Sequence, residues 1–127
     1  MATVGKKEKI AELKAILAEA KGLYLADFTG IDVEAVNELR NKLRDAEVHY
    51  QVIKNRLAIR AAEEAGIAGL KEHFTGPTAI AYSNEDPIAP AKILQDFADD
   101  GGKMLIKSGY MDGKILAADE VQVIAKL

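Results

Sequence analysis

Leu23 to Phe28, LYLADF, is a nearly continuous apolar run, and it constrains the fold of this chain more than any other segment. A run this short suits a strand, and a strand without polar alternation is one buried on both faces. The segments around it have the period of helices. Lys6 to Ala20 places Ile10, Leu13, Leu17 and Ala20 at helical spacing, with Lys7, Lys9 and Lys14 flanking that stripe and Gly22 marking its end. Thr29, Gly30 and Asp32 then supply a turn and an N-cap residue. The helix that follows runs to about Ala46, with Val36, Leu39, Leu43 and Ala46 as its buried stripe and Arg40 and Arg44 at i, i+4.

Val48 to Ile53 is rich in β-branched and aromatic residues and reads as a strand, while Arg56 to Ala65 is rich in helix formers and is closed by Gly66. A short helical turn around Leu70 and Phe74 leads to Gly76-Pro77, and Thr78 to Tyr82 is a further strand. Asp86-Pro87 opens the next helix with a cap followed by the residue suited to its first position. That helix packs through Pro90, Ile93, Leu94 and Phe97 and stops at Gly101-Gly102. Lys103 to Met111 is a strand, and Asp112-Gly113 turns it into a return strand at Lys114 to Leu116. Val121, Ile124 and Ala125 begin a last helix, expected to run to Leu127 uncapped. The order predicts an α/β fold of the α+β sandwich kind: a mixed sheet with packed helices, in a ferredoxin-like or split βαβ arrangement. Residues 1–127 form one domain, long enough to bury a core without metals or disulfides.

Composition narrows the chemistry. The chain has no cysteine, which excludes disulfides, thiolate catalysis and thiolate metal sites and fits a cytoplasmic protein. No apolar run approaches the roughly 20 residues of a membrane helix, and residues 1–9 lack the apolar stretch of a signal peptide. The net charge of -3 conceals an asymmetry: residues 1–60 carry 11 Lys plus Arg against 9 Asp plus Glu, whereas residues 61–127 carry 6 against 11. A pI near 5.4 argues against a large basic field, so any nucleic-acid contact is local and shaped.

The local site is VIKNRLAIR, Val52 to Arg60, three cations with no acid where a strand hands over to a helix. Asn55 is the expected N-cap, Lys54 and Arg56 flank the helix's positive end, and Arg60 lies one turn further along Arg56's face. That arrangement suits phosphate. The competing reading is a capped helix with solvated cations, and Arg60 can instead pair with Glu63 or Glu64. Lys7 and Lys9 fit either a solvated N-terminus or a basic arm that orders on RNA. Thr29 and Gly30 are turn residues whose backbone amides are candidates for contact. Arg40 and Arg44, interspersed with Glu38, Asp45 and Glu47, are weaker candidates on a face laced with ion pairs. Tyr24 and Tyr50 read as packing residues, and Lys103 and Lys107 as solvated.

Enzyme readings find little support. His49 and His73 have no second ligand or nucleophile at suitable spacing. Gly102-Lys103 fails as a phosphate loop, because Met104 replaces the Ser or Thr and Phe97 stands where the first glycine belongs. No catalytic residue, metal site or cofactor is expected.

The succession DFTGIDVEAVNELRNKLRDAEVHYQVIKNRLAIRAA, then GPTAIAYS, then GKILAADEVQVIAKL, resembles the stalk-base protein of the large ribosomal subunit, the tenth protein of that subunit in bacterial naming and P-zero in archaea and eukaryotes. The match covers essentially the whole chain, and its most specific parts are Lys54-Asn55-Arg56, Phe28-Thr29-Gly30, the Leu39-Arg40 to Leu43-Arg44 face and Gly76-Pro77-Thr78. The resemblance implies a structural, rRNA-binding domain at the stalk base of a cytoplasmic ribosome, beside a neighbouring ribosomal protein, with the Thr29-Gly30 loop close to RNA. It also implies a C-terminal helix, beyond Leu127, that carries the acidic stalk dimers which recruit translational GTPases; an uncapped last helix points to truncation. The alternative from another class is a non-catalytic interaction module whose basic cluster meets an acidic protein partner.

Overall fold

The computed structural model describes residues 4–28, 31–76, 78–99, 105–111 and 113–126. In chain order these form α1 (Val4–Glu19), β1 (Gly22–Asp27), α2 (Val33–Asp45), β2 (His49–Ile53), α3 (Asn55–Glu64), a 3-10 helix (Ala68–His73), β3 (Thr78–Ser83), α4 (Ala89–Asp99), β4 (Leu105–Met111), β5 (Lys114–Ala117) and α5 (Ala118–Ala125). None of the described helices is long and apolar enough to cross a membrane.

The strands form one sheet in the order β2-β3-β1-β4-β5. The α/β class and the split βαβ arrangement stand, but every neighbouring pair is antiparallel rather than mixed. The reason lies in where β3 goes. β1 and β2, joined through α2, run parallel to each other, yet β3 is inserted between them and opposes both. β3 and β4, joined through α4, are likewise parallel and separated by β1. Each parallel relation is therefore one strand removed from hydrogen bonding.

β1 is central and buried on both faces, as its unbroken apolar run requires. Tyr24 and Ala26 face a core with Leu39 and Leu43 of α2, Leu94 and Phe97 of α4 and Val121 of α5. Leu23 and Leu25 face a second core with Leu13 and Leu17 of α1, Ala58, Ala61 and Ala62 of α3, and Leu70. Helices thus cover both faces of the sheet, and each leucine removed from water contributes about 1.5 to 3 kcal/mol.

Helix ends follow the local chemistry with some corrections. Asp32 caps α2, its Oδ1 accepting from the Ala35 N–H at 2.8 Å. α4 begins later than expected, at Ala89: the Asp86 Oδ1 accepts from the N–H groups of Ile88 (2.8 Å) and Ala89 (3.1 Å), so Pro87 lies in the capping turn and not at the first position of the helix. Gly22 opens β1 instead of ending α1, which stops at Glu19: it pairs with Ser83 and Met111, and a Cβ there would sit 2.4 Å from the Pro87 carbonyl oxygen. Ala46 is exposed rather than part of the buried stripe, since α2 has already ended at Asp45. α5 ends at Ala125, where the Lys126 N–H bonds the Val123 carbonyl at 3.2 Å; it does not run on uncapped. Gly101, Gly102, Lys103 and Asp112 lie outside the described residues, but the Met111–Lys114 register is that of the expected two-residue hairpin.

Candidate nucleic-acid interface

β2 hands over to α3 at Lys54, the N-cap, in an extended conformation (φ -86°, ψ 123°) without a side-chain cap. The Lys54 carbonyl accepts from Leu57 and Ala58, each at 3.1 Å, which leaves the first-turn amides of Asn55 and Arg56 without intrahelical acceptors. No acid lies in that turn, so the partial positive charge of the helix end adds to the flanking Lys54 and Arg56. Both side chains are exposed.

Asn55 is not the cap. It is the first helical residue, and its Nδ2 donates to the Gly76 carbonyl at 2.6 Å, which ties the start of α3 to the turn before β3. Its Oδ1 is shielded from solvent without a partner among the described residues. The Gly76 carbonyl, at a residue with φ of +65°, also accepts from Thr78 Oγ1 at 3.1 Å. Lys107 reaches the same turn from β4, its Nζ donating to Thr78 Oγ1 at 2.9 Å and to the Thr75 carbonyl. Lys107 is the extra residue where β4 shifts register against Leu25 and Ala26, and that bulge turns its side chain inward from the solvated position expected of it.

α1 lies along α3 and brings its own cations. Lys7, Lys14, Arg56 and Arg60 line an open groove of about 800 Å3 over an apolar floor that includes Ile10 and Leu57, with Glu63 and Glu64 also on its walls. Glu64 holds two of those cations, with Arg60 Nε 3.2 Å from Oε2 and Lys14 Nζ 3.5 Å from Oε1. A neighbouring hollow of about 390 Å3 pairs Lys9 with Lys54, and Lys9 Nζ also lies 3.6 Å from Glu12 Oε2. Lys7 and Lys9 therefore stand on a formed helix, not on a free arm. Lys14 was not among the expected contact residues; its signal was the two-turn spacing from Lys7, which puts both on one face.

Arg40 and Arg44 are placed apart from this cluster. They project from α2 beside β2, which is an edge strand, and line a hollow of about 550 Å3 with Glu47, His49, Tyr50 and Gln51. The Arg40 guanidinium lies over the Tyr50 ring, 5.4 Å from its centroid. Burial pushes the Tyr50 phenol up from its ordinary value, and Arg40 pulls the other way. His49 stacks on Tyr82 across the strand pair, with centroids 5.0 Å apart. The expected contacts Thr29 and Gly30, and Pro77 of the Gly76-Pro77-Thr78 motif, lie outside the described residues. Among the described residues no group of three or more His, Asp or Glu side chains is placed to hold a metal ion.

The arrangement unites six of the expected residues, Lys7, Lys9, Lys54, Asn55, Arg56 and Arg60, at the junction of α1 and α3. Comparison with known proteins agrees with the family resemblance. The profile of the family described as Ribosomal protein L10 matches residues 1–99. A protein named Large ribosomal subunit protein uL10 from Shouchella clausii is 47% identical over 122 residues, covering 96% of this chain and 74% of that protein. Proteins of the same name from Levilactobacillus brevis and Staphylococcus aureus strain Newman are 45% and 44% identical, again over 96% of this chain and over 73% and 74% of their own lengths. The chain belongs to the ribosomal protein L10 family.

Proposed function

We propose that this chain is a non-catalytic component of the large ribosomal subunit whose domain binds large-subunit rRNA at the stalk base. The observation that carries the reading is the start of α3, where Lys54 and Arg56 bracket an acid-free helix N-terminus. A helix end of this kind favours anions through its amides and its dipole, and two exposed cations extend that preference to phosphate. Lys7 and Lys9 of α1 enlarge the cationic surface, and Arg60 continues it along α3. Asn55 holds the Gly76 turn against the helix end, which fixes the shape presented to RNA. Arg40 and Arg44 supply a second contact beside β2, and the resemblance adds Thr29 and Gly30 as further contacts. Contacts of this type position a folded RNA and do not read base sequence.

The resemblance extends the proposal to partners: a neighbouring ribosomal protein at the stalk base, and acidic stalk dimers carried on a helix beyond Leu127, through which translational GTPases are recruited on the cytoplasmic ribosome. The test is equilibrium binding to a folded rRNA fragment spanning the stalk base, across a salt series, for the wild type and for a Lys54→Glu, Arg56→Glu, Arg60→Glu triple variant. Tight wild-type binding is expected, with log K falling roughly 0.7 to 0.9 per decade of salt for each phosphate neutralised. Binding should disappear in the variant while its circular dichroism remains native. Equal affinity of a folded variant, or no binding by the wild type, would overturn the proposal.

A further inference from the structure

Glu64 is placed oddly for a residue on a cationic wall. Its two carboxylate oxygens take cations from two different helices, Lys14 of α1 at 3.5 Å and Arg60 of α3 at 3.2 Å. All three side chains are substantially exposed, at 40% for Lys14, 69% for Arg60 and 41% for Glu64, so neither pair is locked by burial. Exposed pairs of this sort are weak, typically about 0 to 1 kcal/mol, and a competing anion can displace the carboxylate. The groove they line also holds Lys7 and Arg56, so four cations face two carboxylates, Glu63 and Glu64.

We infer that Glu64 occupies a phosphate position of the α1/α3 groove, and that Lys14 and Arg60 bind an RNA phosphate there once the carboxylate is displaced. This deepens the RNA-binding reading and rests on it. Arg56 and Arg60 are four residues apart on α3, about 6 Å along the helix axis. A strand seated at the start of α3 thus meets Arg56 first and finds the Lys14–Arg60 position one turn further. Lys14 becomes an RNA contact in its own right, and Glu64 an internal competitor that weakens binding and limits attachment of unspecific polyanions.

The inference predicts that removing a charge on one side of the site strengthens binding and removing one on the other weakens it. The experiment measures binding to the folded stalk-base rRNA fragment over a salt series for the wild type, Glu64→Gln, Lys14→Gln, the Lys14→Gln/Glu64→Gln double variant and Arg56→Glu. Glu85→Gln, which neutralises an exposed acid in the turn after β3, controls for net charge. Glu64→Gln should bind roughly two- to fivefold more tightly, the range set by loss of a weak competing ion pair. Its salt slope should stay close to that of the wild type, because Lys14 and Arg60 already hold that phosphate in the wild-type complex. Lys14→Gln should weaken binding, and the double variant should lose the gain in affinity. Wild-type affinity in a folded Glu64→Gln protein would overturn the inference, as would equal tightening by Glu85→Gln or a gain retained in the double variant. If Arg56→Glu weakens binding while Glu64→Gln changes nothing, the second phosphate position alone fails. If the wild type does not bind the fragment, the RNA-binding reading fails and this site fails with it.

Discussion

Tyr24 shows how much a single side chain on β1 carries. Its ring is fully buried, and its hydroxyl donates to the Pro87 carbonyl, joining the central strand to the turn that caps α4. Burial, with a smaller contribution from the Asp86 charge, pushes its phenol up to about 12 from 10.0. Because the folded value is raised, the unfolded chain ionises first as the medium becomes alkaline. Tyr24's contribution to stability is therefore complete below pH 10 and is lost as pH rises from 10 through about 12. Tyr24→Phe should cost about 1 to 2 kcal/mol at pH 7, since the Pro87 carbonyl loses its donor, and should flatten the alkaline fall in stability. Urea unfolding at pH 7, 10 and 11.5 would measure both, and an unchanged alkaline slope would exclude Tyr24 as its source. The cationic side chains of the candidate site were legible in the sequence, but the place of Asn55 was not. A cap and a first helical residue differ by one position, and only the distant Gly76 carbonyl decided which way the Asn55 amide points.

The ends of the elements divide into those that announce themselves and those that do not. Gly66 closes α3 with φ of +80°, and glycine is the residue that reaches this region without cost, so the stop was readable. α2 ends in the same kind of turn, with the Glu47 N–H bonded to the Arg44 carbonyl at 3.0 Å and the Val48 N–H to the Leu43 carbonyl at 2.8 Å. Its left-handed residue is Glu47, at φ of 60°, where a side chain is strained. Nothing in the sequence marked it. Glu47→Gly should relieve that strain and stabilise the protein by roughly 0.5 to 1 kcal/mol after the added chain entropy of glycine is offset. Thermal unfolding would show the gain as a higher midpoint; a lower midpoint would mean that Glu47's side chain matters more to the fold than its backbone strain.

The molecule as a whole is built from two cores that share β1. Leu25 points into the one beneath α1 and α3, and Leu94 of α4 belongs to the other. Since the same strand supports both, neither layer has a sheet to pack on without the other. Leu25→Ala and Leu94→Ala should each cost about 2 to 5 kcal/mol, and each variant should still unfold in one transition. Coincident midpoints by far-ultraviolet circular dichroism and tyrosine fluorescence would establish that, whereas separated midpoints would show that the layers unfold independently. The candidate site depends on this architecture, because its cations come from α1 and α3, which meet only by packing on the same face of the sheet.

By itself the sequence determined the elements and their order, because helical period, strand composition, caps such as Asp32 and stops such as Gly66 act within a few residues. It also determined that cations gather without acids at the start of α3. The tertiary structure alone decided what those elements meet. It set β3 between β1 and β2 and so made the pairing antiparallel, bent β4 at Lys107, and laid Lys7 and Lys14 beside Arg56 and Arg60. The contacts responsible join residues far apart in the chain, 21 positions between Asn55 and Gly76 and 29 between Thr78 and Lys107. No local pattern records such contacts, because they exist only once the chain has closed around its two cores.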